Sequence, residues 1–189
     1  MAMQARRHMP ALLAFFSLAF ATALVAYESA HGGVQSHHLL DRPDLPAISN
    51  WFGLIVLPLL GWLLGIRLRN HLTSSTRFGL PAGIRAGLAC SLLYGTAMAT
   101  SFVLGISTVT SGLFFGLFLL AVVLPIYRIE CIFGFVVGMA FAFGAVLPAL
   151  VAAVFAAISA LLHVIFRATM SAMRPRRQAR PNDASRQVH

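Results

Sequence analysis

The chain has 189 residues, 59% of them hydrophobic and only 10% charged, with a mean hydropathy of +0.83. An ordinary soluble domain carries about 25% charged residues, so this chain cannot cover a water-facing surface, and lipid is the solvent that fits. Its 14 basic residues are all arginine, against five acids, for a net charge of +9; they sit at the ends of apolar runs, not on a basic face interleaved with stacking aromatics, which argues against nucleic acid as a partner and for contact with anionic lipid.

A bilayer core of about 30 Å needs roughly 20 apolar residues at about 1.5 Å each. The first such run, Pro10 to Tyr27, follows Arg6, Arg7 and His8. Its basic start, its apolar stretch and Ala21-Thr22-Ala23 resemble a secretory signal peptide. Continuation through Leu24, Val25 and Ala26 suits an uncleaved anchor better. The second run, Trp51 to Ile66, stops at Arg67 and Arg69, and Pro58 interrupts it. The third covers about Ile84 to Ile106. The fourth runs from Gly112 to Ile126, is interrupted by Pro125, and ends at Tyr127 and Arg128.

Between Glu130 and Arg167 lie 36 residues without Asp, Glu, Lys or Arg. As one helix these would span about 54 Å, nearly twice the hydrocarbon thickness. Two helices meeting at a turn near Gly144 to Pro148 fit better, because Gly supplies unusual backbone angles and Pro can open the next helix. The rival is a single long kinked helix over residues 132–166, giving five spans. Arginine placement decides between them. With six spans and a cytoplasmic N-terminus, every arginine except Arg42 falls inside; with five, the split is seven against seven. The positive-inside bias favours six. The expected fold is therefore all-α, a polytopic membrane helix bundle with both termini cytoplasmic. Residues 1–170 form one transmembrane domain with a polar extracytoplasmic loop at about 28–50. Residues 171–189 form a basic cytoplasmic tail expected to be disordered.

That loop, YESAHGGVQSHHLLDRPDLPAISNW, is the one polar cluster and carries three of the seven histidines and three of the five acids. Glu28 and His31 can share a face if the first helix continues. Ser36 can cap a short helix placing His37 and Asp41 one turn apart, and Asn50 can cap the second span. Tyr27 and Trp51 suit the interfacial aromatic belt. Imidazoles with carboxylates are the ligand set for a divalent transition metal such as zinc. The candidate metal ligands are Glu28, His31, His37, His38 and Asp41, with Asp44 behind them to orient an imidazole. The competing readings are a solvated, helix-capping loop and a His–Asp pair that senses pH.

Small residues recur four apart, at Gly61/Gly65, Gly83/Gly87, Gly112/Gly116 and Gly134/Gly138, a spacing that lets helix backbones approach within the monomer. Ser91, Tyr94, Thr96, Thr100 and Ser101 are expected to hydrogen-bond between helices. His163 is expected to be satisfied near the membrane surface, one turn after Ser159, and Glu130 to pair with Arg128. Cys90 and Cys131 are expected to be free, buried thiols on the reducing side.

Three functions fit. The first is a small transport or accessory protein whose outer loop collects a cation. The second is a metal-dependent membrane enzyme acting on a lipid or lipid-linked substrate at the outer interface, with Glu28 or Asp41 as general base. The third is an assembly protein that docks another membrane protein, its arginines gripping anionic lipid. Short loops and the absence of glycosylation-type sequons suit a bacterial inner membrane.

Overall fold

A computed structural model of the chain describes residues 2–33, 36–38, 47–74 and 81–173. Among them are six α-helices: α1 (Ala2–Ala30), α2 (Gly53–Ser74), α3 (Ala82–Val103), α4 (Ser107–Val123), α5 (Ile129–Phe143) and α6 (Val146–Met173). Between α1 and α2, two three-residue strands, β1 (Ser36–His38) and β2 (Ala47–Ser49), pair antiparallel, followed by a 3-10 turn over Asn50–Phe52. The protein is thus a helical membrane bundle. Four helices, α1, α2, α3 and α6, are long and apolar enough to cross a bilayer. At about 1.5 Å per residue, the 17-residue α4 and 15-residue α5 reach only about 26 and 23 Å.

The break between α5 and α6 falls where length and glycine require it. Gly144 has φ +66°, a left-handed conformation that ends α5, and Pro148 occupies the first turn of α6. The single long helix over residues 132–166 is therefore excluded. Pro125 lies in the connection after α4, not inside a span; lacking an N–H, it cannot extend the helix, and Leu124 before it is extended. Gly105, at φ +71°, turns the chain between α3 and α4. Four boundaries differ by more than a turn from expectation: α1 begins at Ala2 rather than Pro10, α6 runs on past Phe166 to Met173, and the other two lie in α2 and α4. The α2 helix continues beyond Arg67 and Arg69 to Ser74, and α4 begins at Ser107 rather than Gly112.

Close approaches give the direction of each helix. A Cβ on Gly61 would lie 2.8 Å from the Leu13 carbonyl oxygen, and one on Gly65 would lie 2.9 Å from Pro10 N, so α1 and α2 run antiparallel in tight contact. On α5, a Cβ on Gly134 would lie 2.6 Å from Leu88 O, and one on Gly138 2.5 Å from Leu92 O. The reciprocal contact is Gly95 of α3 at 2.5 Å from Phe135 O. Rising numbers on both helices make α3 and α5 parallel. Tyr94 donates to the Leu113 carbonyl and Ser101 meets Thr110 at 2.9 Å, so α4 runs back along α3. Phe118 stacks edge-on to Phe155 at 4.7 Å and Ser159 donates to Leu124 O at 3.0 Å, which aligns α6 with α4.

The helices therefore alternate in direction, as six spans require. Arg67, Arg128, Glu130 and Arg167 share one end with the start of α1; Glu28, Asn50 and Gly144 share the other. Three of the four glycine pairs contribute to packing inside the chain, whereas a Cβ on Gly112 would meet nothing within 4 Å. At the centre lies α5, with Glu130, Gly134, Phe135, Val136, Met139 and Ala140 buried against α2, α3 and α6. Enclosure explains how so short a helix is tolerated, since its ends abut protein rather than lipid. Outward faces carry Phe16, Leu93, Phe115, Leu119 and Phe166, each exposed by more than 60%, a girdle suited to hydrocarbon.

Candidate functional site

At the end that carries Glu28 and Asn50, the backbone folds back as the loop composition suggests, but with different local structure. Residues 36–38 form a strand instead of a helix, with His37 opposite Ile48 and His38 opposite Ala47. The one-turn spacing proposed for His37 and Asp41 therefore has no helical basis. Asp41 and Asp44 lie outside the described residues. Glu28 and His31 are described, and each is engaged elsewhere. Glu28 Oε1 accepts a 2.7 Å hydrogen bond from Asn50 Nδ2, while His31 Nδ1 lies 2.9 Å from the Tyr27 carbonyl oxygen, its ring stacked on Tyr27 at 4.1 Å. Among the described residues no group of three or more His, Cys, Asp or Glu could hold a metal ion.

Asn50 does not serve as a cap; Ser49 caps the 3-10 turn that leads into the second span, its Oγ accepting from Trp51 N at 3.4 Å. Buried Asn50 instead ties the end of α1 to the start of α2. It also sits against Gly144, where an added Cβ would lie 2.6 Å from Asn50 Nδ2. One side chain thus links two helix junctions at this end of the bundle, the α1–α2 connection and the α5–α6 turn. Asn50→Leu, which leaves the Glu28 bond unmade, is expected to destabilise the folded protein by about 1–3 kcal/mol, read from unfolding midpoints in detergent. Gln at position 50 is not expected to rescue, because Gly144 leaves no space for a longer side chain.

The arginine end holds a buried charge cluster. Glu130, in the first turn of α5, is fully buried, and its two oxygens lie 3.7 Å from Arg67 Nε of α2 and 3.6 Å from Arg128 Nε. The pairing with Arg128 follows the sequence expectation; Arg67 is the addition. Position in the first turn also sets the carboxylate against the positive end of the helix dipole. Neither oxygen, nor Arg67 Nε, has a hydrogen-bond partner among the described residues, so these are ion pairs without hydrogen-bond geometry. Two cations and one anion leave this cluster with a net positive charge. Close by, His163 Nδ1 lies 2.8 Å from Ser159 O and its ring packs edge-on to Tyr127, which Arg167 reaches at 3.5 Å. His163 is thus satisfied locally, as its spacing from Ser159 implies.

Beside this cluster lies a cavity of about 400 Å³, which no feature of the sequence had singled out. It is lined by Cys90 and Tyr94 of α3, Leu117 of α4, Arg128 and Cys131 at the start of α5, and Phe155 of α6. Its origin is the packing of α4, which rests on α3 and α6 and stands off from α5. The Tyr94 hydroxyl, bonded to the Leu113 carbonyl, and Phe155, wedged against Phe114 and Phe118, prop that gap. Ala86, Cys90 and Leu124 line it and are also exposed, so the cavity reaches the lateral surface of the bundle. Cys90 is therefore an exposed thiol, contrary to its expected burial, because α4 does not cover that face of α3; both cysteines are free. Of the third-helix hydroxyls, Tyr94 and Ser101 bond to α4 and Ser91 to the Glu130 carbonyl at 3.4 Å, while Thr96 bonds within its own helix.

The chain matches no protein-family model, no curated protein and no solved structure.

Proposed function

We infer that this integral membrane protein binds an apolar or amphiphilic molecule taken sideways from the bilayer, in a transport or accessory role. The observation that carries this reading is the cavity among α3, α4, α5 and α6. Its volume falls within the roughly 300–1,000 Å³ of small-molecule sites, and apolar walls with a few polar groups are the usual composition of such sites. Arginine placement and short connections support a bacterial inner membrane with the cavity in the cytoplasmic half. An amphiphile carrying a diazirine on its alkyl chain is expected to label peptides containing Cys90, Tyr94 or Cys131 in the wild type. Ala86→Trp, at an exposed lining position, is expected to reduce that labelling at least tenfold with the unfolding midpoint unchanged. Equal labelling of both proteins would sink the reading.

A second reading keeps the outer loop as a cation site. What favours it is backbone placement. The β1–β2 pairing sets His37 and His38 beside the segment leading into Asn50, which holds Glu28. Here zinc or a similar divalent ion serves transport, or activates water for a lipid-directed reaction. The second use competes with Asn50 for Glu28 as general base. Elemental analysis tests it: a stoichiometric metal is expected in purified protein and is lost in His37→Ala/His38→Ala. Metal-free wild-type protein purified without chelator ends this reading. Docking of another membrane protein through the same loop remains the outcome in which neither metal nor amphiphile binds but a membrane protein co-purifies.

A further inference from the structure

We propose that the molecule in the cavity is a lipid of the arginine-side leaflet with an anionic phosphate head, and that Arg128 holds that head. This rests on the cavity being a binding site and names the class of its ligand. Three observations converge on it.

The first is polarity along the cavity. Its wall is apolar from Tyr94, Leu117 and Phe155 down to Ile132, and the charged lining residue is Arg128. An amphiphile therefore fits in one orientation only, with its chain toward Tyr94 and its head at Arg128. The second is depth. The lining of α3 runs from Ala86 to Tyr94, about 12 Å at about 1.5 Å per residue. That is less than half of the roughly 30 Å hydrocarbon core, so the chain of one leaflet lipid fits and a molecule spanning both leaflets does not.

The third is charge. Among the described residues Glu130 is the only carboxylate paired with Arg128, and it is shared between Arg128 and Arg67 through Nε contacts of 3.6 and 3.7 Å. One anion opposite two guanidinium groups leaves a positive charge to be met at the cavity's end. The Arg128 Nε faces Glu130, while a Cβ on Gly83 would lie 4.0 Å from its Nη1, so the guanidinium extends from Glu130 toward the first turn of α3. Its side chain is 40% exposed. A guanidinium fork matches phosphate geometry and keeps its charge in a poorly hydrated setting. Arg128 also sits at the N-terminal cap of α5, whose dipole adds to the field an anion meets there.

The experiment uses the full-length protein in a non-ionic detergent, offered an equimolar mixture of lysophosphatidic acid and lysophosphatidylcholine with the same acyl chain. Bound lipid is read by native mass spectrometry. The wild type is expected to carry the phosphatidic form at least tenfold over the choline form. Arg128→Gln is expected to bring that ratio near one while still carrying lipid, and Arg128→Lys to retain part of the preference. Ala86→Trp is expected to lose both adducts. An equal ratio in the wild type overturns the charge assignment and leaves the cavity reading standing. Survival of the phosphatidic preference in Ala86→Trp overturns it too, because the preference then belongs to the other arginines. Absence of any lipid adduct, together with absence of photolabelling, overturns the cavity reading itself. Should Arg128→Gln fail to fold, the wild type decides: the ratio is expected to shrink at 1 M salt, where screening shortens to about 3 Å, and a salt-independent ratio counts against the proposal.

Discussion

Replacing Arg67 and Arg128 together by Met is expected to destabilise the folded protein by about 3–5 kcal/mol, the cost of leaving a buried charge uncompensated. Glu130 is fully buried, and its ion pairs come from those two residues, so the double change strands a carboxylate inside the bundle. Glu130→Gln is expected to cost less, about 1–2 kcal/mol. The two guanidinium side chains are 38% and 40% exposed and can turn toward water once their partner is gone. Adding Glu130→Met to the double arginine variant is expected to recover much of the loss, since an apolar replacement of a whole buried ion cluster is often neutral. Unfolding midpoints along an SDS titration check the order. If the triple variant proves less stable than the double, Glu130 is not the stranded charge, and the assignment of the cluster fails.

The second large effect concerns the α3–α5 seam. Gly138→Val and Gly134→Val are each expected to cost at least about 1–3 kcal/mol, the usual penalty for overfilling a packed site. The atoms in the way are the carbonyl oxygens of Leu92 and Leu88, at 2.5 and 2.6 Å from the added Cβ. Backbone cannot rotate aside as a flexible side chain can, so even Ala at these positions forces the two helices apart. Gly112→Ala is the matched control. It has open space around it, and is expected to be neutral or to gain up to about 1 kcal/mol in helix propensity. Equal stability of Gly138→Ala and Gly112→Ala would disprove the parallel register of α3 against α5.

Much of this architecture could be read from residue order. The 36-residue stretch free of charge was too long for one span, and Gly144 with Pro148 marked where it breaks. Glu130 and Arg128 are two residues apart, so their pairing needed no tertiary knowledge. Arg67 is 63 positions earlier, and nothing local distinguishes it from Arg69; only the packing of α2 on α5 selects it. The cavity was hidden for a related reason. Ala86, Gly87, Cys90 and Ser91 lie along one stripe of α3, and a stripe of small residues looks the same whether a neighbouring helix fills it or stands clear. In this fold α5 takes part of that stripe and α4 leaves the rest open. In the connection between α1 and α2, composition suggests a cluster, but residues 36–38 form a strand and not the expected helix, because residues 47–49 of the same connection offer a ladder partner that helical spacing does not anticipate. Asn50 was assigned a cap when its amide was needed to bridge two helix ends, a role that local spacing does not reveal.

The parallel pairing of α3 with α5 also bears on how the chain is made. The α1–α2 hairpin can close as soon as its second member leaves the insertion machinery, since each finds its main neighbour next in sequence. Newly inserted α3 has to wait for α5, and the Ser91 hydroxyl meets the Glu130 carbonyl only after 39 further positions have been synthesised. Throughout that interval the face of α3 that receives Phe135 and Gly138 has not yet met its partner helix. The helix made in between, α4, packs on α3 and α6 and not on α5, so α5 must reach the centre past a neighbour synthesised before it.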